Sequence, residues 1–121
     1  MVTVPVRRED KPSFTTLDGS VVRELLQVGD GARNQSLAEA VVPAGGETVA
    51  HRHRQSEEIY VFVAGSGTMR LGQESFEVRA GDAVLIAPGT PHKLTNPGPD
   101  PLELLCCCAP PYADADTELL E

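Results

Sequence analysis

The sequence predicts an all-β sandwich or barrel, and three observations carry that prediction. No stretch of ten or more residues shows the apolar period of a helix. Short runs rich in β-branched and aromatic residues recur between turn signals about every 8–12 residues. The eleven glycines and ten prolines fall mostly at those junctions, where they supply turn geometry and end strand ladders.

Taken in order, residues 1–12 hold Pro5, Pro12 and mixed charge, and read as a strap or a short edge strand. Residues 14–17 and 21–26 read as two strands joined at Asp18-Gly19, a dipeptide that favours a tight hairpin turn. After the Gly29-Asp30-Gly31 loop comes a strand over 37–42, ended by Pro43 and Gly45-Gly46. Residues 48–54 form the next strand, and Gln55-Ser56 turns the chain into 58–63, a run dense in β-branched and aromatic side chains. Gly65-Ser66-Gly67 reads as a hairpin turn into 68–71, which Gly72 links to 75–79; Gly81-Asp82 leads to an apolar strand over 83–87. Two prolines and a glycine bend the chain at 88–91 before a strand over 92–96. The Pro-rich segment 97–101 cannot continue a ladder, so the last strand is 102–109. From Pro110 the chain reads as a polar tail with a short helical turn at 117–120.

Composition narrows the partners. At 121 residues the chain is expected to be one domain, spanning 1–121, large enough to bury a core without staples. Ten Lys and Arg face eighteen Asp and Glu, for a formal charge of −8, which argues against nucleic acid and acidic membrane surfaces as partners. Only 4% of residues are aromatic, so platforms for stacking bases are scarce. No apolar run approaches a membrane span, and the first ten residues lack the order of a secretory signal. Cys106, Cys107 and Cys108 are adjacent and close no useful loop, so a reducing, cytoplasmic setting is expected.

The chemistry gathers around residues 45–65. His51 and His53 stand at i, i+2, so on a strand both imidazoles leave the same face. Two carboxylates follow, Glu57 and Glu58, which face opposite sides of the next strand. The third and last histidine, His92, comes after the bend at 88–91. Imidazoles and a carboxylate converging on one point suit a divalent transition metal, whether Mn, Fe, Ni, Co, Cu or Zn. Metal binding needs neutral histidines, so affinity should fall in acid.

Two motifs carry a resemblance. Gly45-x5-His51-x-His53-x4-Glu58-x6-Gly65 resembles the first motif of the cupin superfamily. Gly81-x5-Ala87-Pro88-Gly89-x2-His92-x3-Asn96 resembles the second, with Ala87 where proline is usual. The resemblance covers about residues 36–108, with strap strands over 1–35 and a tail over 109–121. It implies a single-domain jelly-roll β-barrel of two antiparallel sheets, with His51, His53, Glu58 and His92 holding one metal ion per chain. The spacing to Gly65 is what selects Glu58 over Glu57. Small cupins resembling this chain are commonly homodimers, and that expectation rests on the resemblance alone.

Function is expected to follow from that ligand set. Four protein ligands leave two positions of a six-coordinate ion open, enough for a substrate and dioxygen, so a metalloenzyme with dioxygenase-type chemistry is expected on a small organic substrate. The alternatives are a metal-dependent isomerase or epimerase of a sugar or keto acid, and a small-molecule-binding protein without turnover. Parity places Tyr60 and Phe62 on the inward side with Glu58. Glu58 and Tyr60 are candidates to move a proton, and Gln35, Phe62 and Arg70 are candidates to contact the substrate. Alternate cysteines of 106–108 should face the lumen.

Overall fold

The computed structural model describes residues 4–121. Residues 1–3, the start of the expected strap, lie outside the described residues. The strands in chain order are β1 Ser13–Thr15, β2 Val21–Leu26, β3 Ser36–Val42, β4 His51–His53, β5 Glu57–Ala64, β6 Ser66–Leu71, β7 Glu74–Arg79, β8 Ala83–Ile86, β9 His92–Thr95, β10 Leu102–Ala109 and β11 Thr117–Leu119. They make two antiparallel sheets, ordered β1-β2-β3-β10-β5-β8 and β11-β4-β9-β6-β7. The expected hairpin at Asp18-Gly19 is present, with Phe14 opposite Val22. Among the described residues no helix is long and apolar enough to cross a membrane.

The two sheets pack face to face, and strand alternation sorts their residues. On β5, Glu58, Tyr60 and Phe62 are buried, whereas Ile59, Val61 and Val63 are exposed. Inward rows change character along the six-stranded sheet. Val22, Ala40, Leu104 and Phe62 form one apolar row, packed with Met69 and Ile86. Two residues further along come Ala38, Cys106 and Tyr60, and then Ser36, Cys108 and Glu58. The inward face of the barrel is therefore apolar at one level and polar at the next. Asn96 anchors the loop after β9: its Nδ2 donates to Val42 O at 2.9 Å and Asp100 O at 2.8 Å, and its Oδ1 accepts from Gly98 N.

Three local expectations change. Gly65 is not in a hairpin turn, because β5 and β6 lie in different sheets. It is the corner between them, at φ +79°, and a Cβ there would meet Pro101 O at 2.2 Å. The strand expected over 48–54 shortens to β4, because Val49 N donates to Asp18 O in the β1–β2 turn rather than to a neighbouring strand. The expected helical turn at 117–120 is instead strand β11, paired with β4 so that Thr117 faces His53 and Leu119 faces His51. The unpaired edge of β4 supplies the reason: it offers a ladder, which a four-residue helix cannot match.

Candidate metal centre

His51 and His53 leave β4 on one face, and the β4–β9 register sets His51 opposite His92. Glu58 comes from the facing sheet. All four residues are buried, none more than 5% exposed. The ligand atoms of the three histidines lie within 4.8 Å of one another. Glu58 Oε1 is 3.2 Å from His53 Nε2 and 3.5 Å from His92 Nε2.

The outer nitrogens set the tautomers. His51 Nδ1 lies 2.8 Å from Val49 O, and His92 Nδ1 lies 3.0 Å from Thr90 O. A carbonyl only accepts, so both Nδ1 atoms carry the proton. His53 Nδ1 is 3.0 Å from Thr117 Oγ1, whose own hydroxyl donates to Ala113 O; His53 Nδ1 is therefore also the donor. With the histidines neutral, all three Nε2 atoms present lone pairs to one another and to Glu58. Glu58 Oε1 and His92 Nε2 have no hydrogen-bond partner. A buried cluster made only of acceptors is satisfied by a cation, and N/O donors of this kind fit a divalent transition ion. Glu58 is oriented by Cys108, whose thiol donates to Oε2 at 3.1 Å.

In the metal-free protein a proton partly fills that role. Burial works against charge on His53, yet contact with Glu58 and the charges of Glu58, Asp116 and Asp18 carry its pKa above the ordinary value. Burial likewise works against Glu58 ionising, but His53 and His92 hold its carboxyl down at about 2. Burial, together with the charge of His92, lowers the pKa of His51, so it stays neutral. The signs follow. The raised His53 contributes stability that is present below its ordinary 6.5 and lost as pH rises through the folded value. The depressed Glu58 contributes stability that is present above 4.5 and lost as pH falls toward 2. Metal uptake at pH 6 should therefore release about one proton, and progressively less as pH rises through the raised His53 value. Calorimetry in two buffers of different ionisation enthalpy checks this; heats that do not depend on the buffer would mean that the His53–Glu58 pair is not ionised.

Beside the cluster lies a cavity of about 70 Å³, room for on the order of five waters. Its lining is mainly apolar, including Val22, Leu26, Ala40 and Leu104, with Asp18, Glu24 and Glu58 as carboxylates and, among the described residues, no Lys or Arg. Tyr60 lines it, and burial followed by the charge of Glu58 pushes its phenol well above the usual range. Cys106 and Cys108 face it, while Cys107 points away and lies 3.6 Å from Gln35 Oε1. Of the side chains expected to contact a substrate, none borders the cavity. Phe62 is 1% exposed inside the apolar core. Gln35 is exposed just before β3, and Gln27 lines the cavity instead. Arg70 is exposed on the outer face of β6.

Asp18, Thr117 and Tyr112 also reach the site, and none was singled out from the sequence. Asp18 Oδ2 is 3.4 Å from His51 Nε2, and the Tyr112 ring packs edge-on against His53 at 5.7 Å between centroids. The only signals in the sequence were an Asp-Gly turn and a tail.

Comparison with known proteins agrees with this architecture. The uncharacterized protein MJ1618 of Methanocaldococcus jannaschii is 48% identical over the full length of both chains. The polyketide cyclase RemF of Streptomyces resistomycificus superposes with a TM-score of 0.80 at 24% identity, over 95% of this chain and 89% of that one. Pac13, a nucleoside dehydratase, superposes in its Streptomyces complex with uridine at a TM-score of 0.81 and 19% identity, over 100% and 93% of the two chains. Residues 38–108, which carry all four inward ligand candidates on β4, β5 and β9, match the Cupin domain family. The chain belongs to that family, as its two motifs imply.

Proposed function

We propose that the chain is a metalloenzyme that acts on a small, uncharged organic molecule. One observation carries this reading: a buried cluster of three imidazoles and a carboxylate, with Glu58 Oε1 and His92 Nε2 unpartnered among the described residues, opens onto a mainly apolar cavity whose described lining contains carboxylates but no Lys or Arg. His51, His53, His92 and Glu58 would hold the ion. A bound divalent ion supplies a Lewis acid that polarises a carbonyl or hydroxyl oxygen. The apolar walls orient the substrate and exclude water. Tyr60 keeps its proton at neutral pH and serves as a hydrogen-bond donor or acid toward a developing oxyanion. Phosphate or carboxylate groups find no Lys or Arg among the described lining residues, so sugar phosphates and keto acids fit less well than small neutral hydroxy-ketones. RemF and Pac13 are likewise named for cyclase and dehydratase activities, which need no oxidant.

Dioxygenase-type chemistry is the second reading, favoured by the two positions that four protein ligands leave open. Protein reconstituted separately with Mn, Fe, Co, Ni and Zn would be assayed on neutral hydroxy-ketones and nucleosides, on their phosphorylated counterparts, and on catechols and diketones with an oxygen electrode. Metal-dependent conversion without oxygen uptake is expected, with kcat/KM at least about tenfold lower for phosphorylated compounds. Oxygen uptake coupled to substrate loss would move the assignment to the second reading. No turnover with any metal would leave a small-molecule-binding protein.

A further inference from the structure

Asp18 sits in the turn between β1 and β2, where its expected role is that of a turn residue. Its side chain does more than close the turn. Oδ1 accepts three hydrogen bonds, from Thr16 Oγ1 at 2.6 Å, Ser20 Oγ at 2.7 Å and Ser20 N at 2.9 Å. Oδ2 takes no part in them and points at His51 Nε2, 3.4 Å away, from the wall of the cavity. The turn is tied to the ligand strand through Val49 N, which donates to Asp18 O two residues before His51. The carboxylate is thus anchored by one oxygen and presents the other to the cluster.

The nature of the facing atoms determines what this contact means. His51 donates from Nδ1 to Val49 O, so a neutral His51 presents a lone pair at Nε2. A lone pair and a carboxylate oxygen repel at this distance unless a cation lies between them. His92 Nε2 and Glu58 Oε1 stand in the same relation at 3.5 Å, both buried and both without a partner. Adjacent ligands on an ion with bonds of about 2.1 Å are roughly 3 Å apart. The separations of 3.2, 3.4 and 3.5 Å are close to that edge length. Asp18 Oδ2 thus approaches His51 Nε2 about as closely as Glu58 Oε1 approaches His92 Nε2, from a side chain that is 17% exposed.

Building on the metal site proposed above, we propose that Asp18 is a fifth protein ligand of that centre, through Oδ2. Two carboxylates then balance the charge of a divalent ion, which lowers the cost of burying it. Five protein ligands leave one open position on a six-coordinate ion. A substrate would engage through a single oxygen, which favours Lewis-acid chemistry over a reaction needing two adjacent open positions.

The test compares wild type and Asp18→Asn with cobalt(II) as the probe. It measures the dissociation constant by chelator competition, the visible spectrum at saturating cobalt, and thermal unfolding without metal. Asp18→Asn should weaken cobalt binding by about 10–100-fold and shift the visible bands. It should change metal-free unfolding only slightly, because asparagine keeps an acceptor for Thr16 and Ser20. The spectrum of the saturated variant reports ligation independently of any loss of fold stability. Unchanged affinity with an unchanged spectrum overturns the proposal. Weaker binding with an unchanged spectrum also overturns it, since Asp18 would then only position His51. If wild type binds no cobalt, the metal reading of the site falls as well; if wild type binds and the variant matches it, the role of Asp18 alone falls.

Discussion

Glu58→Gln and His92→Ala should each lower the metal content of purified protein by well over tenfold, as expected when a direct ligand is lost. The argument rests on geometry. Both side chains are buried, and both present an atom with no other partner toward the other histidines. Glutamine keeps the shape of Glu58 but removes the charge that offsets a dication, and its amide places a donor where an acceptor is needed. Elemental analysis of the purified variants is the check, and full occupancy in both would mean that the ligands are wrongly assigned. Glu57→Ala is the matched control. Glu57 is exposed on the outer face of β5, so its removal should leave metal content nearly unchanged. A fall to metal-free levels in that variant would exchange the roles of the two glutamates.

Phe62→Ala should cost roughly 3–5 kcal/mol of stability, the range for deleting a buried aromatic ring from a core. The melting temperature should fall on the order of 10–20 °C. Phe62 is 1% exposed and packed in the cluster that includes Met69, Ile86, Leu102 and Leu104. Its T-shaped contact with Tyr60, 6.1 Å between centroids, is its link to the site. At low temperature, where the variant remains folded, cobalt affinity should stay within about threefold of wild type, a shift that indirect packing can produce. Calorimetric unfolding and metal titration on the same sample separate the two effects. A small change in stability with a large change in substrate binding would return Phe62 to the role of a substrate contact.

Strand alternation made much of the barrel legible. Glu58, Tyr60 and Phe62 turn inward because a residue's face depends only on parity along β5, and the dense β-branched run left no doubt about the strand. The two histidines of β4 are legible for the same reason. The elements that moved were those decided by partners distant in sequence. Gly65 carries the signature of a hairpin turn, yet the next strand crosses to the other sheet at a corner packed against Pro101. The tail at 117–119 is polar and proline-flanked, and only an unpaired β4 edge makes it a strand. Gln35 and Gln27 show the same limit. Both precede or follow inward strands, but which one borders the cavity depends on how β2 and β3 curve around it.

By itself the sequence determined an all-β barrel, the cupin motifs, and three histidines with a glutamate on strands able to converge. Those are properties of spacing and parity, which are local. Only the tertiary structure decided that the three Nε2 atoms are left to face one another and Glu58, because each Nδ1 proton is claimed by a carbonyl or hydroxyl set by the fold. It also decided that Asp18 stands beside His51 and that, among the described residues, no Lys or Arg lines the cavity. A turn residue some thirty positions upstream becomes a carboxylate that faces the histidine cluster through the packing of one loop on one strand, which no local pattern encodes.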